Sequence, residues 1–197
     1  TKDGKATHRH VMQGYRLLRQ QKVPVDLLCV VQAQNVRHPR EVYRFFKEIE
    51  AQYLSFIPLV EPEPAAPGGV SERSVPAEAF GAFLCAIFDE WVRQDIGRII
   101  VQTFEEAARP ACGLGHSLCV FRPTCGDVPV LEHNGDFYLC DHFVNPEHRL
   151  GNIRETPLLE LLESPAQEAF GRAKQETLTR RCRECDVLEM CNGEIGR

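Results

Sequence analysis

The sequence predicts an α/β fold in its first half, followed by a small cysteine-rich α+β module with a β-hairpin. Helix-like and strand-like apolar patterns alternate with short loops through the first half, which is the order of elements in α/β folds. In the second half, Asn134-Gly135 lies between two apolar runs and is typical of a hairpin turn. Six cysteines surround this hairpin in two groups, between Cys119 and Cys191. We therefore predict a first domain at residues 1–110 and a second at 111–197.

The elements of the first domain alternate in type. Residues 8–21 are predicted as a helix because Val11, Tyr15 and Leu18 recur at helical spacing. Residues 27–31 form a continuous apolar run that ends in two valines, which is typical of a strand buried on both faces of a parallel sheet. We further predict, in chain order, a helix at 39–51, a strand at 53–59, a loop at 61–76, a helix at 77–93 and a short strand at 99–102.

The second domain contains the predicted hairpin. Strands at 128–133 and 136–140 flank Asn134-Gly135, the dipeptide that best supplies the two positive φ angles of a type I′ turn. This turn would fix the register that delivers Cys140. Two helices are predicted later in the domain, one opening at Thr156-Pro157 and one opening, with the pattern of a capping box, at Ser164-Pro165-Ala166-Gln167.

Charge and composition narrow the class of protein. The 197 residues carry a net charge of -5 and no basic block, which argues against a nucleic-acid partner because no cluster of cations is available to neutralise phosphates. No apolar run approaches membrane-spanning length, and the first ten residues lack the apolar core of a signal peptide. Nine cysteines, an odd number that includes a Cys-x2-Cys pair, favour metal binding in a reducing cytoplasm over a secreted disulfide framework.

Six cysteines have the spacing of metal ligands. They form a first group, Cys119, Cys125 and Cys140, and a second group, Cys182, Cys185 and Cys191. Thiolates are soft ligands for iron–sulfur clusters or zinc, and a Cys-x2-Cys pair lets two sulfurs face one metal. Spacing alone leaves both metals open, because two three-cysteine groups, or four converging thiols, would also bind zinc tetrahedrally.

The other three cysteines lack ligand spacing. Cys29 lies in the middle of a predicted strand, and Cys85 lies near the apolar face of the helix at 77–93. We predict both as small buried hydrophobic residues, which is the usual environment of a free cysteine. Cys112 precedes the first group in a glycine-rich loop, and we assign it no role.

Four segments carry a resemblance to a known family. They are 80–91 (FGAFLCAIFDEW), 132–141 (EHNGDFYLCD), 150–153 (LGNI) and 182–185 (CREC). They resemble the SPASM extension of radical S-adenosylmethionine enzymes, which holds two auxiliary [4Fe–4S] clusters, and are most similar to the anaerobic sulfatase-maturating enzymes. The likeness runs from about residue 14 to 193. It implies that the first domain is the C-terminal part of a partial (β/α) radical S-adenosylmethionine barrel, and that the second is a SPASM-type module.

The resemblance also implies which cysteines hold each cluster. Cys119, Cys125 and Cys140 match three ligands of the first auxiliary cluster, and the fourth ligand position holds Ile195, which cannot coordinate iron. Cys182, Cys185 and Cys191 match three ligands of the second cluster. Its fourth ligand lies, in the family, farther downstream than this sequence reaches. Each implied site therefore has three cysteines of the usual four.

Asp141 directly follows Cys140. The resemblance implies that its carboxylate is the general base that takes a proton from the substrate side chain. A carboxylate beside a cluster ligand, at the end of a hairpin that faces a cavity, is placed for such a transfer. The alternative from the residues alone is a carboxylate that accepts hydrogen bonds from nearby backbone N–H groups. His133 and His142 flank the hairpin, and we predict them as surface or packing residues.

The activity implied by the resemblance is oxidation of a cysteine or serine of a sulfatase polypeptide to formylglycine. S-adenosylmethionine would supply the radical in the full-length protein, the auxiliary clusters would accept an electron, and flavodoxin or ferredoxin would be the electron donor. The sequence has no Cys-x3-Cys-x2-Cys loop, which this class needs to cleave S-adenosylmethionine, so we expect a fragment that is inactive alone. The alternatives are another SPASM enzyme that modifies a different peptide, and a zinc-binding module that only recognises a partner.

Overall fold

The chain divides into two compact units, Thr1–Glu105 and Glu106–Arg197, in a computed structural model that describes residues 6–193. Each unit contains its own three-stranded sheet. The domain boundary that we predict after residue 110 stays a prediction. Ile195, in the implied fourth ligand position, lies outside the described residues. Within residues 6–193, no helix is both long enough and apolar enough to cross a membrane.

The first unit alternates helices and strands, as the sequence predicts. Its elements are α1 (His8–Gln20), β1 (Asp26–Val31), α2 (Pro39–Glu48), β2 (Tyr53–Pro58), α3 (Ala77–Gln94) and β3 (Ile100–Val101), and α4 (Gln102–Ala108) follows. The strands form a parallel sheet in the order β1-β2-β3, with Asp26 paired to Tyr53 and Tyr53 paired to Ile100. Parallel strands require crossover connections, which contain α2 and α3. The predicted α/β fold is confirmed.

One face of this sheet carries the core of the first unit. Val31, Leu54 and Val101, one from each strand, are almost fully buried. Phe83 and Ile87 of α3 belong to the same cluster. They are two residues of the apolar stripe that predicts this helix, because positions three and four apart share one helical face. The core therefore lies between the sheet and its helices.

The other face of β1 is exposed, so the prediction of a strand buried on both faces is wrong. Leu28 and Val30 remain 63% and 50% exposed. Successive side chains of a strand point to opposite faces, and the helices of this unit pack on the other one. Cys29 packs against the core, as predicted. Cys85 is exposed on α3, which corrects the prediction of a buried residue there.

The second unit combines a small antiparallel sheet with short helices. Its elements are β4 (Val130–Leu131), β5 (Asp136–Tyr138), β6 (Arg149–Asn152), α5 (Leu158–Leu162), α6 (Pro165–Glu176), α7 (Arg180–Arg183) and α8 (Leu188–Cys191). The sheet order is β4-β5-β6, so the predicted hairpin pairs with a third strand that is not predicted. Strand β6 is missed because its four residues, with Gly151 and Asn152, lack the alternating apolar pattern of a strand.

The hairpin turn differs from the predicted type I′ turn. Gly135 has a positive φ of 90°, but Asn134 does not. The Gly135 N–H donates a hydrogen bond to the Glu132 carbonyl oxygen at 2.9 Å. The turn therefore begins at Glu132, and Gly135 is its fourth residue. This is the pattern of a type I turn followed by a glycine bulge, the common form of three-residue hairpin loops. The Asn134 side chain accepts the Asp136 N–H at 3.0 Å, which further fixes the turn.

Candidate metal centre

Helix α6 presents one buried stripe to the cysteine loops of the second unit. Gln167, Phe170, Gly171 and Lys174 are buried; Phe170 and Gly171 each lie three or four positions from both Gln167 and Lys174, so the four share one helical face. The helix begins after Ser164, whose hydroxyl accepts a hydrogen bond from the Gln167 backbone N–H at 3.2 Å. This is the N-cap that the sequence pattern predicts.

The Gln167 side chain links two of the loops. Its Nε2 donates hydrogen bonds to the carbonyl oxygens of Gly126 at 2.7 Å and Leu139 at 3.2 Å, next to Cys125 and Cys140. Its Oε1 has no hydrogen-bond partner among the described residues, so the reciprocal bond of a full capping box is absent. The side chain that would complete the box instead fixes the spacing of two candidate ligands.

Gly171 allows the Cys125 loop to lie directly against α6. The Cys125 N–H donates a hydrogen bond to the Gly171 carbonyl oxygen at 3.1 Å. A Cβ atom at position 171 would lie 2.7 Å from the Cys125 carbonyl oxygen, closer than packed atoms tolerate. Glycine is therefore required here by close approach.

Lys174 fixes the loop that carries Cys119. The Lys174 side chain is 4% exposed, and its Nζ donates hydrogen bonds to the carbonyl oxygens of Val120 and Arg122, both at 2.6 Å. Cys119 itself begins a 3-10 helix, Cys119–Phe121. One face of α6 thus holds the loops around all three cysteines of the first group.

Four cysteines line one cavity in the second unit. Cys119, Cys125, Cys140 and Cys182 all contribute to its wall. The cavity volume is about 70 Å³. A single water needs only about 15 Å³, so the cavity has room for a group of several atoms.

The second cysteine group is spread over different environments. Cys182 lines the cavity just described, whereas Cys185 is exposed and Cys191 is half-buried. Neither Cys185 nor Cys191 contributes to the cavity wall. The structure thus brings the first group together and adds Cys182 to it. The ligand role of all six cysteines stays a prediction.

The spacing of the sulfurs differs from that of a single zinc ion. Zinc holds each thiolate sulfur at about 2.3 Å, which places tetrahedral ligands about 3.8 Å from one another. Within residues 6–193, no three cysteine sulfurs lie within 4.8 Å of one another. An iron–sulfur cubane carries its thiolates on separate iron corners and spaces them more widely. The described sulfurs therefore do not have the spacing of one zinc ion held by three cysteine thiolates.

Asp141 lies beside this cavity, not on its wall. Its Oδ1 accepts a hydrogen bond from the Cys140 thiol at 3.2 Å and lies 2.8 Å from His142 Nδ1. The Asp141 and His142 side chains are both 46% exposed. The carboxylate is thus held through Oδ1 while it remains open to solvent. The sequence predicts a hairpin end that faces a cavity; in the structure Cys140 and His142 line the cavity, and Asp141 lies at its edge.

His142 has a closer relation to the site than the sequence analysis assigns to it. It lines the cavity, and Cys140, Asp141 and His142 each offer a ligand atom within 4.8 Å of the others. The signal in the sequence is simply the Cys-Asp-His tripeptide. His133, by contrast, has a side chain that is 93% exposed, which agrees with the prediction of a surface residue.

Burial favours the protonated form of two cavity thiols, Cys140 and Cys119, in the absence of a metal. It raises the pKa of the Cys140 thiol to about 11, and the hydrogen bond to Asp141 and the charges of Asp141 and Cys119 also raise this pKa. Burial likewise raises the pKa of Cys119, followed by the charge of Asp141. A metal binds the thiolate, so loading of this site must release protons.

Glu106 organises the segment before Cys119, and no sequence motif indicates it. Its carboxylate, which is 3% exposed, accepts hydrogen bonds from the Ser117 hydroxyl, the Ser117 N–H and the Leu118 N–H. His116 lies between Glu106 Oε2, at 3.2 Å, and the carbonyl oxygen of Glu189, at 2.8 Å. This network connects the loop that carries Cys119 to helix α8.

A family comparison identifies the cysteine module. The SPASM family, an iron–sulfur cluster-binding domain, matches residues 125–186. This segment contains Cys125, Cys140 and the Cys182-x2-Cys185 pair. The fold and the cysteine cavity therefore define a protein with a SPASM iron–sulfur domain.

Relatives of known class cover nearly the whole chain. The serine-type anaerobic sulfatase-maturating enzyme of Bacteroides thetaiotaomicron is 39% identical over 98% of this chain and 50% of its own length. The serine-type enzyme of Klebsiella pneumoniae is 33% identical over 98% of this chain and 48% of its own length. The cysteine-type enzyme of Clostridium perfringens is 28% identical over 98% of this chain and 52% of its own length. The chain is therefore similar to the anaerobic sulfatase-maturating enzymes along nearly its whole length. It spans about half the length of the curated relatives it matches.

Solved structures agree with this assignment. Native anSMEcpe with bound AdoMet superposes with a TM-score of 0.85 at 28% identity, over 97% of this chain and 52% of that one. The same protein with bound AdoMet and Cp18Cys peptide gives a TM-score of 0.85 over 53% of its length. The resemblance and the fold class predicted from the sequence are confirmed.

Proposed function

We propose that the second unit binds an auxiliary [4Fe–4S] cluster through Cys119, Cys125 and Cys140. The observation that carries the proposal is the single cavity into which α6 gathers these three cysteines. The match to iron–sulfur cluster-binding domains supports a cluster over zinc. For Cys182, Cys185 and Cys191, the family resemblance supports a second auxiliary cluster.

The proposed activity of the whole protein is oxidation of a cysteine or serine of a sulfatase polypeptide to formylglycine. For serine, the side chain loses one hydrogen atom from Cβ, one proton from the hydroxyl and one electron, which leaves the aldehyde. A radical derived from S-adenosylmethionine, which is bound in a solved relative, takes the hydrogen atom. An auxiliary cluster, when bound, supplies an acceptor for the electron.

Asp141 is the proposed acceptor of the proton. Its carboxylate is half-exposed, and its Oδ1 is occupied by the contacts with Cys140 and His142. Its second oxygen, Oδ2, is therefore the atom we assign to the substrate. A general base must lie within hydrogen-bond reach of the group that it deprotonates, and the exposed edge of the cavity permits this approach.

The partners follow from the same proposal. The substrate is a sulfatase polypeptide, and peptides are bound to two structures of the solved relative. A small iron–sulfur or flavin protein, ferredoxin or flavodoxin, is the proposed electron donor. The proposed compartment is the cytoplasm, because a reducing environment preserves the nine free thiols.

The first test is anaerobic reconstitution of the chain with iron and sulfide, followed by metal analysis. The proposal requires iron and sulfide in equal amounts and loss of the iron and sulfide of one cluster in Cys140→Ala, with little change in Cys85→Ala. Cys85 is the matched control because it is exposed in the other unit. Stoichiometric zinc without sulfide would instead support a zinc-binding module.

The activity is tested with a hybrid in which this chain replaces the matching half of the Bacteroides thetaiotaomicron relative. Asp141→Asn should lower aldehyde formation on a sulfatase peptide about 100-fold or more, the usual contribution of a general base. Cleavage of S-adenosylmethionine should persist, because it precedes the proton transfer. Glu132→Gln, on the same hairpin, is the matched control. Full activity of Asp141→Asn, or equal activity on unrelated peptides, contradicts the respective part of the proposal.

A further inference from the structure

His142 and Cys140 contact the same oxygen atom of Asp141. The Cys140 thiol donates a hydrogen bond to Asp141 Oδ1 at 3.2 Å, and His142 Nδ1 lies 2.8 Å from that oxygen. A carboxylate oxygen can only accept a hydrogen bond, so His142 carries a hydrogen on Nδ1 and donates it. Two donors therefore hold Oδ1 while Cys140 is a thiol.

Coordination of Cys140 would remove one of these two donors. A metal binds cysteine as the thiolate, so iron takes the place of the hydrogen that Cys140 donates to Asp141. The hydrogen bond from His142 Nδ1 does not involve that hydrogen. Its length of 2.8 Å is typical of a strong hydrogen bond to a carboxylate. Of the two donors to Oδ1, His142 is thus the one that remains when Cys140 is a ligand.

The backbone on both sides of His142 is fixed. The Asp141 N–H donates a hydrogen bond to the Val128 carbonyl oxygen at 3.2 Å. The Phe143 N–H donates one to the Cys140 carbonyl oxygen at 3.1 Å. Val128, His142 and Phe143 all line the cysteine cavity. The imidazole therefore extends from a backbone segment whose two neighbours are held in place, which suits it to hold a second side chain.

We propose that His142 is a positioning residue that orients Asp141 for proton transfer from the substrate. The inference rests on the proposed function, in which Asp141 Oδ2 takes the proton. The Asp141 side chain is 46% exposed, so packing alone does not fix it. The terminal torsion of an aspartate is broad, and a donor on Oδ1 therefore sets the direction of Oδ2. An error of about 1 Å in such a position is enough to slow a reaction about 100-fold.

A different role for His142 would act on the cluster itself. His142 Nδ1 lies 3.8 Å from Cys140 Sγ, and hydrogen bonds to ligand sulfurs change the reduction potential of a cluster. The shorter distance to Asp141 Oδ1 favours the carboxylate as the acceptor. The two roles are separable, because one changes proton transfer and the other changes the potential.

The test uses the hybrid protein described above and compares His142→Ala, His142→Asn and the matched control His133→Ala. His133 lies on the same hairpin, and its side chain is 93% exposed. His142→Ala should lower kcat for aldehyde formation about 10- to 100-fold, with little change in the KM for the peptide. Cleavage of S-adenosylmethionine should continue, so more of it is consumed per aldehyde formed. His142→Asn keeps a side-chain N–H donor and should restore most of the activity.

A double variant shows whether His142 acts through Asp141. In a protein that already carries Asp141→Asn, His142→Ala should cause no further loss, because residues that act through one group are not additive. Losses that multiply overturn the inference. Equal losses in His142→Ala and His142→Asn also overturn it, because the donor would then not account for the effect.

Measurements on the cluster separate positioning from a structural role. Iron content and the reduction potential in His142→Ala should equal those of the unaltered hybrid. A change in either one overturns the inference, because His142 would then act on the cluster. Full activity of His142→Ala beside an impaired Asp141→Asn overturns the inference alone. Full activity of Asp141→Asn overturns the proposed base, and with it the role of His142.

Discussion

The two units of the chain are stabilised by different interactions. In the first, an apolar cluster that includes Val31, Leu54 and Phe83 fills the space between the sheet and its helices. In the second, the cluster beside the cysteines is built on Leu139, Cys140 and Phe170, and one of these is a candidate ligand. A small unit with a limited apolar core commonly depends on a metal or on disulfides for its stability. We therefore expect the second unit to depend on its cluster and the first to be independent of it.

Removal of the metal should have the largest effect. Ligand thiols gain their binding free energy only in the folded unit, so loss of the cluster removes folding free energy from the second unit. Hydrogen exchange followed by mass spectrometry should show loss of amide protection at 137–143 and 165–174 after chelation. Protection at 27–31 and 83–87 should stay unchanged. Equal protection of the second unit with and without metal would contradict this comparison.

A cavity made in the core of the first unit should destabilise that unit and leave the iron content of the second unchanged. Phe83 is 1% exposed and contacts Phe56 edge to face, with ring centroids 5.4 Å apart. Phe83→Ala should lower the free energy of unfolding of the first unit by about 3–5 kcal/mol, the usual cost of this truncation. Urea denaturation measures this cost. Iron content should remain unchanged, and its loss would show that the cluster depends on the first unit.

Two glycine substitutions, one in each unit, should change stability by smaller amounts and in opposite directions. Gly171→Ala puts a Cβ atom 2.7 Å from the Cys125 carbonyl oxygen, so the loop must shift. We expect a loss of about 1–3 kcal/mol and reduced iron retention, as for other overpacked sites. Gly81→Ala is the matched control, because Gly81 lies inside α3 and an added methyl group there would meet no atom within 4 Å. There alanine should stabilise the helix by about 1 kcal/mol.

The same contrast explains what the sequence could predict. The helices and strands of the first unit follow from apolar periodicity, because burial on one face imposes that period. The exposed face of β1 was not predictable in this way, since Leu28 and Val30 have the composition of buried residues. In the second unit, cysteine spacing and the turn residues around Gly135 located the hairpin, although Asn134 has a different φ from that of the predicted turn.

Most of the candidate site depends on contacts that have no local sequence signal. Gln167 fits a capping box, yet its side chain bonds to Gly126 and Leu139, which are 41 and 28 residues away in the chain. Glu106 and Lys174 act through backbone groups of the Cys119 loop, and a backbone acceptor has no residue type to recognise. Cysteine spacing predicts which residues are ligands, but not which loops the fold brings together.

The smallest predicted effect concerns Lys47 and the charge at the edge of the first unit. Lys47 Nζ donates hydrogen bonds to Asp95 Oδ2 at 2.9 Å and to Glu90 Oε1 at 3.0 Å. The Asp95 side chain is 3% exposed, and the Tyr43 hydroxyl donates to the same oxygen at 3.0 Å. The hydrogen bond to Asp95 raises the pKa of Lys47. Its folded-state pKa is therefore higher than that of the unfolded chain.

This shift sets the sign of a pH dependence. A raised lysine pKa contributes stability that is fully present below the unfolded-state value of about 10.4 and is lost as the pH rises through the folded-state pKa. Lys47→Gln should therefore be less stable than the unaltered chain at pH 8, and the difference should shrink as the pH rises through the raised pKa of Lys47. Cys29, whose pKa is also raised by burial, is common to both chains and cancels in that difference. Urea midpoints of the first unit measure it, and a difference that stays constant across this range would show that the Lys47 ammonium contributes nothing through its charge.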